Sequence, residues 1–118
     1  MHTLTPKVLD IVRDNAEISR QNRQIAADSV TALKECGFLR MFLPKSLGGL
    51  ETTPQAFFED QIALAEVDMS TAWIAGIIAV HAFQIALMDE RAQADVYQDN
   101  PDTLVSSSYN PVGAQVEV

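Results

Sequence analysis

Apolar residues recur at helical spacing from residue 5 to residue 99, and turn-forming residues divide that stretch into segments. Thr5-Pro6 reads as an N-cap followed by proline at the first helical position, with Val8, Leu9, Val12 and Ala16 on one face behind it. The polar run from Ser19 to Gln24 predicts a bend or break. A second helix is predicted over residues 26–36, with Val30 and Leu33 facing inward and Gly37 as its stop. The apolar run over residues 38–44 is too short for an independent helix and ends in proline. Gly48-Gly49 then permits a turn. Thr53-Pro54 repeats the cap-plus-proline signal and starts a third helix to Val67. Its inward face is expected to hold Phe57, Phe58, Ile62 and Leu64 or Ala65. Ser70 is the expected cap of a long fourth helix, and a short amphipathic helix over residues 89–99 ends at Asn100-Pro101.

From Thr103 the pattern changes to β-branched and small polar residues, with Pro111 and Gly113 placed for a turn and a Val-x-Val alternation at residues 116–118. The expected organisation is an all-α, orthogonal helical domain over residues 1–102 and the first strand of a β-domain over 103–118. A strand that starts at the end of a helical domain suggests the N-terminal part of something larger. Such a part alone is expected to be inactive and to self-associate through uncovered apolar faces.

Bulk properties narrow the partners. A net charge of -8 argues against nucleic acid and against anionic membranes, both of which need clustered Lys and Arg. Residues 69–88 carry no charge and approach the length of a spanning helix. Ser70, Thr71, His81 and Gln84 lie among them, and Asp68 and Asp89 flank them without basic anchors. A helix buried on most sides of a soluble domain is the expectation. The single cysteine, Cys36, fits a reducing, cytoplasmic setting, and the N-terminus shows no signal peptide.

Few residues stand out for chemistry. His81 reads either as a buried histidine satisfied by a local partner or as a pocket-lining donor or base, because an imidazole titrates near neutrality. No second ligand stands at metal-binding spacing from it, and no GxGxxG supports a dinucleotide site. Ser106, Ser107 and Ser108 would alternate in direction on a strand, leaving them either a polar edge or hydrogen-bond donors to a ligand. No GxSxG elbow marks any of them as an acyl nucleophile. Trp73 reads as a core or interface anchor or as a ligand contact. The Glu66/Asp68 pair reads as helix-end solvation.

The ordered series LKECGFLRMFLPKSLGGLETTPQAFFEDQIALAEVDMSTAW, residues 33–73, resembles the N-terminal helical domain of the acyl-CoA dehydrogenase superfamily. At the exit from the helices, the Thr-Glu-Pro-Gly type sequence usual in the dehydrogenases is replaced by SSSYNPVG. That segment, with STAW (70–73) and AVHAFQIALM (79–88), is more similar to the oxygenase components of two-component flavin-dependent aromatic hydroxylases, such as those of 4-hydroxyphenylacetate and of phenolic steroid-ring intermediates.

This resemblance implies a monooxygenase that takes reduced flavin (FMNH2 or FADH2) from a separate reductase and hydroxylates a phenol through a C4a-hydroperoxyflavin. It implies a homo-oligomeric, tetrameric full-length enzyme. Carried onto this chain, it places Ser107, with Ser106 and Ser108, at the flavin, and His81 and Trp73 at the aromatic substrate, with Ser107 and His81 as the catalytic pair. A further active-site histidine of the family has no counterpart here. The alternatives are an acyl-CoA dehydrogenase oxidising an acyl thioester with FAD and a non-catalytic helical interaction module.

Overall fold

A computed structural model describes residues 2–108, 110 and 112–117. Five α-helices follow one another: α1 Pro6–Asn22, α2 Ala27–Glu35, α3 Pro54–Val67, α4 Met69–Ala86 and α5 Glu90–Tyr97. Two single 3₁₀ turns, Phe38–Arg40 and Lys45–Leu47, lie between α2 and α3.

The helix starts follow from local side-chain chemistry. Thr5 Oγ1 accepts from Val8 N at 3.3 Å, and Thr53 Oγ1 accepts from Ala56 N at 3.2 Å, each ahead of a proline whose missing N–H costs the first turn nothing. Asp89 Oδ1 caps α5 through Ala92 N at 2.9 Å. The cap of α4 is Asp68 and not Ser70: its carboxylate accepts from Thr71 N at 3.1 Å and from the Thr71 hydroxyl. Helices α3 and α4 abut with Asp68 as the single extended residue between them, so Ser70 is already inside the first turn. Helix α2 ends at Gly37, whose φ of 88° favours glycine. Gly49 is required for a different reason. A Cβ there would fall 1.9 Å from the carbonyl oxygen of Leu43, so the chain can double back only over a bare backbone.

The core gathers Val8 and Val12 of α1, Leu33 of α2, Phe38, Leu39 and Met41 of the connecting turns, Phe57 and Leu64 of α3 and the small residues Ala72, Ala75 and Ala79 of α4. Helix α4 therefore presents its small side chains inward and its large ones outward. Trp73, Ile74, Ile77, Val80 and Phe83 are all exposed, which corrects the expectation of a helix buried on most sides. By length and composition α4 could cross a membrane, but 39% of it is buried inside the domain.

The inward face of α3 also differs from expectation. Phe57 and Leu64 are buried, but Phe58 and Ile62 are 59% and 61% exposed. The position that turns inward is Asp60, only 3% exposed, which accepts from Thr3 N at 2.7 Å, Thr3 Oγ1 at 2.8 Å and His2 Nδ1 at 2.9 Å. This carboxylate ties the N-terminal segment to α3. Asp60→Ala leaves Thr3 N without its acceptor and the Thr3 hydroxyl with only the weak Met41 sulfur, and should lower unfolding stability by about 1.5–3 kcal/mol, read from chemical denaturation. An unchanged midpoint would show that the tie contributes nothing. Nearby Cys36 is held by burial as a thiol, its pKa pushed up from the ordinary range.

Beyond α5, Arg40 Nε pairs with Asp102 Oδ1 at 3.0 Å and fixes the exit of the helical domain against the first 3₁₀ turn. The expected first strand does not form among the described residues, and 103–108 carry no regular structure. A strand needs a ladder partner, and the described chain offers none. Pro111 of the expected turn and Val118 of the expected alternation lie outside the described residues.

Candidate functional site

Two residues far apart in sequence meet on the outer side of α4. His81 is 2% exposed, and its Nε2 lies 2.7 Å from the hydroxyl of Ser107. Its Nδ1 lies 2.6 Å from the carbonyl oxygen of Ile77, one turn earlier on the same helix. A carbonyl only accepts, so Nδ1 carries the ring hydrogen, and in the neutral imidazole Nε2 is left as an acceptor for the Ser107 O–H. The order of donation is Ser107 to His81 to Ile77. It leaves the lone pairs of an exposed serine oxygen available to a ligand.

The strap that carries Ser107 reaches α4 through its own sequence. Leu104 lies with Ile74, Ala75 and Ile78 of α4 and Leu33 and Leu39 around a small apolar cleft, and Ser107 follows three residues later. Ser106, Ser107 and Ser108 are all exposed. The Ser108 hydroxyl is engaged within its own turn, accepting from Asn110 N at 3.1 Å.

His81 also lines a cavity of about 270 Å³ between α3 and α4. Phe57, Phe58, Trp73, Ile77 and Val80 make its apolar walls, with Gln61 and Gly76 where the two helices approach most closely. The absence of a side chain at Gly76 is what admits Gln61: a Cβ there would fall 2.4 Å from Gln61 Nε2, which donates to Ala72 O at 2.7 Å. Phe57 sits against Phe42 at a centroid distance of 4.6 Å and against Phe38 at 5.6 Å, so the cavity wall is continuous with the core. The result is an open apolar cleft with an imidazole on its wall, a polarity suited to an aromatic ring with one polar substituent.

Of the residues singled out from sequence, the structure places Trp73 and His81 on one cavity and Ser107 against His81 outside that cavity's lining. It adds Phe57, Phe58 and Gln61 as lining, which the helical pattern alone assigns to core or leaves unremarked. Among the described residues no group of His, Cys, Asp and Glu is arranged to hold a metal ion.

No protein-family model matches the chain. Curated relatives do. The oxygenase subunit HsaA of a flavin-dependent monooxygenase from Mycobacterium tuberculosis is 40% identical over 111 residues, covering 94% of this chain and 28% of that protein. The oxygenase component of an FADH2-dependent resorcinol hydroxylase from Rhizobium sp. is 34% identical over 105 residues, covering 89% of this chain and 26% of that protein. Among solved structures, the 3-HSA hydroxylase from Rhodococcus sp. RHA1 superposes with a TM-score of 0.86 at 36% identity, over 89% of this chain and 28% of that one. The chain spans little more than a quarter of the length of the relatives it matches. It has an acyl-CoA dehydrogenase-like helical fold and is homologous to the N-terminal region of the oxygenase components of flavin-dependent monooxygenases.

Proposed function

We propose that the chain forms the N-terminal helical part of an oxygenase that hydroxylates a phenol with reduced flavin supplied by a separate reductase. The observation that carries this reading is the His81–Ser107 pair at 2.7 Å beside an apolar cavity of aromatic dimensions. A phenol in the cavity would donate its O–H to Ser107 Oγ, whose own hydrogen is already committed to His81 Nε2. Ionisation of the phenol would then move a proton through Ser107 to His81, while Ile77 O holds the resulting imidazolium in place. A phenolate is the more nucleophilic ring, so the pair would activate the substrate by taking a proton at a fixed atom. Trp73, Phe57 and Phe58 would position the ring by apolar contact and exclude water from it.

The exposed hydroxyl of Ser106 and the backbone N–H groups beside it would offer donors to the polar edge of a flavin. These groups would hold a reduced flavin, which would supply the electrons needed for O₂ to oxygenate the ring. The large exposed side chains of α3 and α4, including Phe58, Ile62, Met69 and Trp73, support packing against further polypeptide, and we place the protein as a homo-oligomeric, cytoplasmic enzyme.

The test is an assay of the protein that carries this chain, with reduced flavin, oxygen and a panel of phenols. Phenol-dependent oxidation of flavin with a catechol product is expected. Reduction of an electron acceptor by an acyl thioester, with no phenol turnover, would replace this reading by the dehydrogenase one.

A further inference from the structure

Ser107 and His81 have the geometry of a nucleophile and its base, and nothing in that geometry requires a flavin. The hydroxyl is exposed, the imidazole nitrogen facing it is 2.7 Å away, and the far nitrogen is fixed by a third group, Ile77 O at 2.6 Å. A base of this kind, oriented by a hydrogen bond on its other side, is the arrangement that activates serine in acyl transfer. The missing GxSxG elbow argues against such a role from sequence, but what that motif provides, an exposed hydroxyl followed by an available N–H, is offered here by an irregular strap, with the base on a helix 26 residues upstream. The backbone N–H of Ser108 donates to no acceptor among the described residues. It follows the serine directly, the position that provides an oxyanion donor in serine hydrolases. The cavity that His81 lines has aromatic and aliphatic walls, Phe57, Phe58, Trp73, Ile77 and Val80, which suit an apolar leaving group such as an aryl one.

We propose that the chain also hydrolyses aryl esters, with Ser107 as the nucleophile and His81 as the general base. Ser107 Oγ adds to the ester carbonyl carbon while its proton passes to His81 Nε2. The acyl–oxygen bond to the aryl group then breaks, and the aryloxide leaves as a phenol with the proton from His81. Water, giving a proton to His81, attacks the acyl-serine, and release of the carboxylic acid restores Ser107 and the neutral imidazole. No electrons are transferred, and no co-reactant besides water is needed. The activity goes beyond the oxygenase reading and uses neither flavin nor oxygen, so its failure would leave that reading standing.

The test uses the purified protein that carries this chain, without flavin, with 4-nitrophenyl acetate and, separately, a fluorophosphonate. The expected results are nitrophenol release that falls at least about tenfold in Ser107→Ala, below the factors of 10²–10⁴ typical of a fully built site, an acetyl group found on Ser107 by mass spectrometry of trapped protein, and fluorophosphonate labelling at the same residue. His81→Gln should lose both hydrolysis and labelling while Ser107 remains present. If His81→Gln fails to fold by circular dichroism, Ser107→Ala decides alone, because it alters only an exposed strap. Hydrolysis unchanged in Ser107→Ala, or acetyl found on another residue such as His2 or a lysine, would overturn the proposal.

Discussion

Phe57→Ala should lower the stability of the helical domain by about 3–5 kcal/mol, the usual cost of removing a buried phenylalanine. Phe57 is 2% exposed and sits at the junction of three rings: Phe38 stacks on it at 5.6 Å, Phe42 tilts against it at 4.6 Å and Phe58 at 5.7 Å. Two of these partners come from the loop between α2 and α3, so Phe57 holds that loop against α3. Truncation would empty a space that the neighbouring backbone turns cannot collapse to fill. Because Phe57 also forms a wall of the cavity beside His81, the same substitution should enlarge that cavity and weaken discrimination between small and large aromatic ligands. Phe58→Ala is the comparison. Phe58 lines the same cavity but is 59% exposed, so its loss should change ligand binding with little change in stability. Equal destabilisation by the two substitutions in thermal or chemical denaturation would contradict this division between core and lining.

His81→Gln should slow hydroxylation of ordinary phenols by about 10²-fold, the lower range for loss of a positioned proton acceptor. Glutamine keeps the length and hydrogen-bonding capacity needed near Ser107 but cannot take up a proton. The loss should therefore shrink for nitrophenols, which reach the enzyme already ionised. A defect of the same size for acidic and ordinary phenols would mean that His81 supports the strap around Ser107 without receiving a proton. His81 is 2% exposed and is hydrogen-bonded to Ile77 O and Ser107, so some destabilisation is expected as well. The dependence on phenol acidity separates the chemical from the structural effect.

The starts of α1 and α3 were legible as caps because caps act within three residues, Thr5 on Val8 and Thr53 on Ala56, and α2 and α5 begin within one residue of the expected positions 26 and 89. Ser70 was a misleading candidate for α4 because a better acceptor, Asp68, stands just ahead of it and leaves no loop to be capped. Which face of a helix turns inward was less legible, because periodicity gives a face but not its partner. On α3 the tie between Asp60 and Thr3 brings a carboxylate into the interior and leaves Phe58 and Ile62 outside. On α4 the close packing against α3, with Gln61 set over Gly76, selects the small residues for the buried side.

At the site, His81 was visible as a histidine on an apolar helix and Ser106 to Ser108 as a run of hydroxyls, while the choice of Ser107 among them came from the family resemblance. The contact between His81 and Ser107 was not visible, since it depends on how a strap without regular structure crosses α4 after Leu104 finds its apolar cleft. The expected strand is the complementary case. Its composition is β-like, but a ladder cannot form without a partner, and residues 103–108 are held instead by side-chain contacts to a helix.

The most direct test of the role given to Ser107 and His81 is to compare the affinity of a phenol with that of its methyl ether, in the wild-type protein and in Ser107→Ala. The ether fills the cavity but has no O–H to donate. Wild type should bind the phenol more tightly by about tenfold, the worth of one hydrogen bond into a partly buried site, and Ser107→Ala should bind the two alike. The same phenol preference in both proteins would show that the hydroxyl is held elsewhere and that the His81–Ser107 pair is not the phenol anchor.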